Sequence, residues 1–346
     1  RIMSYTTINK STDYFNTNLY TGNNTNTAHT GIGFQPDFTW LKVRNASGAH
    51  YLFDAVRGAN KDINSNDTTA EYTATQNLMS FDSDGYTVGT SNSVNTNNET
   101  MVGWNWLGAN GTSANTDGTI SSTVSANTTS GFSIVSYTGN GTAGATIGHG
   151  LGTVPSLIIA RIKSQAKDWN VYHVSNGATK QLVLNTDAAV VTELDKWNNT
   201  TPTSSVFTVG DSSQVNMSGE SGIAYCFAEK TGYSKFGSYT GNGSTDGTFV
   251  YTGFKPAYVT IKRSSNTSDW HHFDNKRAGF NGDNDYLKLN GSDSEGTSGD
   301  RIDFLSNGFK LRYATGNLNE TGDTFIYNAF AEAPLVGSNG VTAKAR

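Results

Sequence analysis

The sequence predicts an all-β protein of three tandem antiparallel β-sandwiches of the jelly-roll type, and three observations carry that expectation. Apolar and polar residues alternate with a period of two in stretches such as "GFSIVSYTG", the pattern of a half-buried strand. Turn residues return roughly every ten positions, as they do in sandwiches. One set of landmarks also recurs three times along the chain.

The recurrence begins with "YTGNN" at Tyr20–Asn24 and "YTGNG" at Tyr137–Gly141 and Tyr239–Gly243. Pro36, Pro155 and Pro256 follow at one repeat position, and the chain has only 5 prolines, so chance is a poor explanation. Phe53, Tyr172 and Phe273 come next, then Tyr86, Phe207 and Phe309, then Asn95, Asn216 and Asn319. "WNWLG", "YCFAE" and "NAFAE" close the units and place Trp106, Phe227 and Phe330 at equivalent core positions. Successive landmarks lie about 120 and then about 100 residues apart, which is domain size.

The units fall at residues 1–110 (repeat 1), 111–232 (a linker strand and repeat 2) and 233–346 (repeat 3 with a C-terminal tail). Each "YTGN" ends the first strand of its unit, where Gly supplies the positive φ a tight turn needs. "FTWLKVR", "SLIIARIK" and "AYVTIKR" are strands whose basic pairs (Lys42/Arg44, Arg161/Lys163, Lys262/Arg263) are expected to face water. "GIAYCFAE" and "TFIYNAFAE" are apolar on both faces, as central strands are. No segment sustains a helical period; "TTAEYTATQNLMSF" comes nearest and allows at most one turn. The Gly108–Thr119 stretch is a flexible connector, so repeat 1 is expected to be looser than the pair formed by repeats 2 and 3.

Composition narrows the function. Charged residues are 15% of the chain, below the usual quarter, the formal net charge is −5, and no Lys/Arg run occurs. Nothing electrostatic therefore favours nucleic acid. No stretch approaches a membrane span, and no signal segment opens the chain. Met3 reads as the initiator, with Arg1–Ile2 not native. The one cysteine, Cys226, excludes an intrachain disulfide and reads as a small strand residue.

"GNGTAG" at Gly139–Gly144 matches a dinucleotide fingerprint, but no helix follows it, so it is a hairpin turn. Asp82 and Asp84 in "DSDG" resemble the start of a calcium loop whose later ligands are missing. Asp54/Arg57 and Asp274/Arg277 recur in repeats 1 and 3, where repeat 2 has His173 and Asn176, and Glu71, Glu193 and Glu295 align as well. Paired carboxylates would serve glycoside hydrolysis; ion pairs that brace loops fit better, because one copy dispenses with them. Adjacent His271 and His272 point to opposite faces of a strand and chelate poorly. No metal or cofactor is implied. Trp169 and Trp270 align with His50, each after a polar loop, and are the candidates for stacking on a glycan; the competing expectation is that they fill the core.

The text "YTTINKSTDYFNTNLYTG", "GFQPDFTWLK", "LFDAVRG", "FDSDGYTVGT", "HGLGTVPSLII", "YCFAEKTGYSKFGSYTGNG" and "AFAEAPLVGSNGVTAKAR" resembles a repeat family of marine bacteriophage virion structural proteins, tail-fibre-like or head-decoration. The resemblance covers nearly the whole chain. It implies concanavalin-like sandwiches on a virion surface and brings no catalytic or binding residues with it. The expected function is a phage fibre or decoration protein that mediates assembly and touches host glycans. A glycan depolymerase and a secreted bacterial adhesin or filament subunit are the alternatives. Modest cores without disulfides favour a homo-oligomer, a trimer by resemblance, or a subunit bound to other virion proteins. Repeat 1, with its "YTTINKSTDYFNT" arm, is the expected anchor.

Overall fold

A computed structural model describes residues 5–277 and 282–337. Met3, Arg1–Ile2 and the end of the C-terminal tail lie outside the described residues. The chain is all-β, as the alternation predicts: strands in antiparallel sheets, with helical turns only at Asn92–Asn95, Leu194–Trp197 and Gly316–Asn319 and one 3₁₀ turn at Ser11–Asp13 among the described residues. "TTAEYTATQNLMSF" holds the Tyr72–Thr73 strand and the start of the Leu78–Asp82 strand instead of a helix.

Each repeat has a large and a small sheet. In repeat 1 the large sheet runs Phe15–Thr21, Thr100–Trp106, Phe38–Val43, His50–Asp54, Lys61–Asn64, Tyr72–Thr73. The small one runs Thr27–His29, Gly85–Val88, Leu78–Asp82. First and last strands pair in every unit, in register at Phe15↔Trp106, Phe132↔Phe227 and Ser234↔Phe330. Each unit thus closes on itself.

The large sheets are buried on both faces, because two kinds of core meet there. Leu41, Val43 and Met101 pack outward against the small sheet of repeat 1, and repeats 2 and 3 have matching clusters around Phe207 and Phe309. The opposite face carries Phe38, Trp40, Trp104 and Trp106, and these join Phe132, Trp169, Tyr225, Phe227, Tyr258, Trp270 and Phe330 in one cluster drawn from all three repeats. Trp106, Phe227 and Phe330 form its centre, with ring centroids 5.7–6.2 Å apart around a triangle. Three large sheets therefore face one another about a pseudo-threefold axis.

Repeat 1 is not looser than the others. Its aromatic residues lie in the common core, and the connector is pinned. Gly108 and Asn110 donate backbone N–H groups to Asp37 at 2.7 and 3.0 Å, Ser113–Asn115 pairs with the Ser122–Asn127 strand, and Ile120 bridges Ile147. The N-terminal arm is also occupied: Ile8 is buried in the central cluster and Tyr5 bonds the Gly253 carbonyl at 2.8 Å.

The repeated "YTGN" turns are explained by the landmark asparagines. Asn216 donates to the carbonyls of Gly210 (2.7 Å) and Thr142 (3.0 Å), and its Oδ1 accepts from the Asn140 N–H at 2.9 Å. Asn95 and Asn319 hold the turns of repeats 1 and 3 in the same manner. Tyr20, Tyr137 and Tyr239 bond the carbonyl of the residue preceding each asparagine. Only the second glycine of the motif takes positive φ, 69° at Gly141 and 64° at Gly243, and Asn24 takes that conformation in repeat 1. The first is glycine for space: a Cβ at Gly139 would lie 2.4 Å from the Met217 carbonyl oxygen.

Candidate functional site: the seams between repeats

The polar side chains singled out in the sequence converge on the seams where the repeats meet. His50, Trp169 and Trp270 are the first set. All three are buried, at 0, 0 and 2% exposure. Trp169 donates its indole N–H to the Asn64 carbonyl of repeat 1 at 2.7 Å, and Trp270 donates to the Val183 carbonyl of repeat 2 at 3.0 Å. Trp40 donates to Nδ1 of His50 at 2.8 Å, so the proton sits on Nε2, which donates to the Lys288 carbonyl of repeat 3 at 3.1 Å. No face of these rings is open to a sugar, which corrects their assignment as glycan contacts. The cause is that the strands His50 and Trp270 begin, and the strand Trp169 directly precedes, belong to the large sheets, whose inner faces meet at the axis rather than solvent.

Each of these bonds runs from a repeat to its neighbour, in the order 1 to 3, 3 to 2 and 2 to 1. The ring is closed, and each seam is a head-to-tail contact of the same kind.

A second set repeats the same order. Lys42, Arg161 and Lys262, expected at the surface, are fully buried. Arg161 reaches the Thr68 carbonyl at 2.7 Å, Lys262 the Asp187 carbonyl at 2.8 Å, and Lys42 the Ser292 carbonyl at 3.5 Å. Burial lowers both lysines to about 8 and Arg161 to about 10. Backbone pairs flank them: Gly48 to Ser292 and Glu295 to Arg44, Lys167 to Thr68 and Glu71 to Lys163, Ser268 to Asp187 and Val190 to Ser264, all at 2.7–3.1 Å.

These pairs also correct the alignment of acidic residues. The position shared by Glu71 and Glu295 holds Val190 in repeat 2, not Glu193. Glu71 meets Lys163 at 2.9 Å and Glu295 meets Arg44 at 2.8 Å across their seams, whereas Glu193 pairs with Lys196 within its own repeat.

Asp54 and Asp274 form the third set. Arg57 and Arg277 each bind the aspartate three residues before them and also a glutamate, Glu71 or Glu295. Tyr225 of repeat 2 donates to Asp54 at 2.8 Å, and Trp104 of repeat 1 donates to Asp274 at 2.9 Å. In repeat 2 the equivalent residue, His173, meets the Tyr327 carbonyl of repeat 3 at 3.3 Å. Burial pushes the Asp274 carboxyl up, but Arg277 and His272 outweigh it and hold the group far below the carboxylate range. Carboxylates fixed this way brace loops, and their donors occupy the lone pairs that acid–base work would need.

The remaining candidates are also local braces. Asp84 accepts the N–H groups of Gly31 (2.9 Å) and Gly33 (2.7 Å), while Asp82 accepts from the hydroxyls of Ser80 and Thr87 at 2.8 and 2.7 Å. No group of three His, Cys, Asp or Glu side chains fit to hold a metal occurs among the described residues. Cys226 is buried, and burial raises its thiol above the range of reactive cysteines. Sequence reasoning missed Asp62, a buried carboxyl raised by burial to about 6 that Asn77 and Tyr72 contact. No spacing motif marks it. It also missed a cavity of about 30 Å³ on the axis. The cavity lies beside Thr260 and Asn328, where the other repeats carry the larger pairs Trp40/Trp104 and Ile159/Tyr225.

The chain matches no curated protein and no solved structure. A family profile matches residues 10–334, and the chain belongs to that family, described as "Domain of unknown function (DUF7483)".

Proposed function

Taking the chain as a member of that family, we propose that it is a non-enzymatic structural subunit on the surface of a bacteriophage particle, held there by other virion proteins. The observation that carries this reading is the use of the polar side chains at the seams. His50, Trp169, Trp270, Lys42, Arg161, Lys262, Asp54 and Asp274 all tie one repeat to another or brace a loop. Such a body resists deformation, which suits a particle component. The resemblance of its repeat text to phage virion proteins supports the same role. The closed ring alters the argument for a trimer: threefold packing exists within one chain, so copy number follows from the particle lattice rather than from a need to complete a core. Host glycan contact, if part of the role, belongs to outward-facing loops and not to the buried aromatics.

Gold-labelled antibody against the chain, imaged on purified particles, tests the proposal. Label at regular sites on the particle surface is the expected result, and particles without the chain would overturn it. Release of reducing sugar from host polysaccharide by the purified protein would favour the depolymerase instead.

A further inference from the structure

The three seams match in geometry but differ in covalent connection. Residues 108–121 join repeats 1 and 2, and residues 228–233 join repeats 2 and 3. Among the described residues, only the N-terminal arm crosses the seam between repeats 3 and 1, running from Tyr5 on repeat 3 into the first strand of repeat 1.

The arm is seated on repeat 3 at several points. The Tyr5 hydroxyl bonds the Gly253 carbonyl at 2.8 Å. Thr6 lies against Gly232 of the segment that leads into repeat 3, where an added Cβ would sit 3.0 Å from the Thr6 Cβ and 3.2 Å from the Pro334 Cβ. Ile8 is 2% exposed and belongs to the axial cluster. The turn Ser11–Asp13 packs on the Thr324–Pro334 strand, and Tyr14 meets Tyr233 edge-on at 6.0 Å. Phe15 then stacks on Phe330 at 5.6 Å while its own strand pairs with Thr100–Trp106 of repeat 1.

We infer that residues 5–14 are a latch for the untethered seam, so that the ring opens between repeats 3 and 1 when the arm detaches. Repeats 1 and 2, and repeats 2 and 3, stay together because their linkers keep the partners at high effective concentration. Across the 3–1 seam only non-covalent contacts act. They include the Arg44–Glu295 pair and the bond from His50 to Lys288, and the arm adds apolar burial that neither contact supplies.

Six equivalent backbone amides make this testable by hydrogen exchange on the full chain. Gly48 and Glu295 report the 3–1 seam, Lys167 and Glu71 the 1–2 seam, Ser268 and Val190 the 2–3 seam. In Ile8→Ala, exchange at Gly48 and Glu295 is expected to rise about tenfold or more while the other four change less than about threefold, the pattern of sub-global opening. Tyr5→Phe removes the hydroxyl that bonds the Gly253 carbonyl and meets Tyr251, both in repeat 3, and a smaller rise of a few-fold at the same two amides is expected. It serves as the readout if Ile8→Ala does not fold. An equal rise at all six amides, or no change at Gly48 and Glu295, would overturn the latch.

Discussion

Trp104 of the first repeat donates its indole N–H to Asp274 of the third, 2.9 Å away and with both groups out of solvent. The bond serves a carboxylate already held by Arg277, so its loss leaves a charged acceptor short of one donor. Trp104→Phe is expected to cost about 2–3 kcal/mol, in the range of hydrogen bonds to charged groups plus the lost ring area. Asp274→Leu takes one of two carboxylates from the buried Arg277, leaving it Glu295, and takes the acceptor from the Trp104 N–H, so it is expected to cost more, about 3–5 kcal/mol. Urea denaturation of both variants checks the order, and equal small losses would contradict it.

Phe227→Ala removes one corner of the axial triangle. The expected cost is about 3–5 kcal/mol, felt as a single lower unfolding transition because the three repeats share that core. Calorimetry showing three independent transitions, only one of them shifted, would contradict a common core.

Trp169→Phe keeps most of the buried ring but loses the bond to Asn64. Stability is expected to fall by about 1 kcal/mol, with adsorption to host polysaccharide unchanged from wild type. A variant that keeps its stability and loses adsorption would restore the glycan role to this position.

Acid is expected to weaken the fold. His29, His173, His271 and His272 are lowered from 6.5 to about 4 by burial, His50 is lowered well below 6.5 and His149 is lowered as well. The unfolded chain therefore binds more protons as pH falls through about 6.5 toward about 4, so stability is complete above that window and lost within it. Asp62, raised to about 6, opposes the trend, as do Asp37 and Asp300, both also raised by burial, but three groups stand against six. The urea midpoint is expected to fall by at least about 2 kcal/mol in equivalent stability between pH 7 and pH 5. A flat profile over that interval would contradict neutral buried histidines.

Much of the architecture is legible in the sequence, and the reasons are local. Period-two alternation places Ile134, Phe227 and their equivalents in strands, and the recurring prolines, asparagines and "YTGN" turns mark the units. The axial core is not legible for an equally physical reason. A strand buried on both faces, such as "GIAYCFAE", looks the same whether its second face meets its own small sheet or a neighbouring domain. Lys42, Arg161 and Lys262 mislead for a related cause: a cation at a strand end usually reaches water, and only the tertiary arrangement shows that a neighbour's carbonyls take its place. Trp169 and Trp270 stand out in the sequence as aligned aromatics, but their burial at the seams does not. Their partners, the Asn64 and Val183 carbonyls, are backbone groups that no side-chain pattern can announce.

The head-to-tail seams close after three steps, and this places a counting rule on the gene. In-frame duplication or loss of one repeat yields four or two units whose outermost faces find no partner at the angle the seam requires. Natural variants of this chain should therefore differ in the loops of the small sheets and keep the number of units, because a change of number is a change of symmetry and cannot be made one repeat at a time.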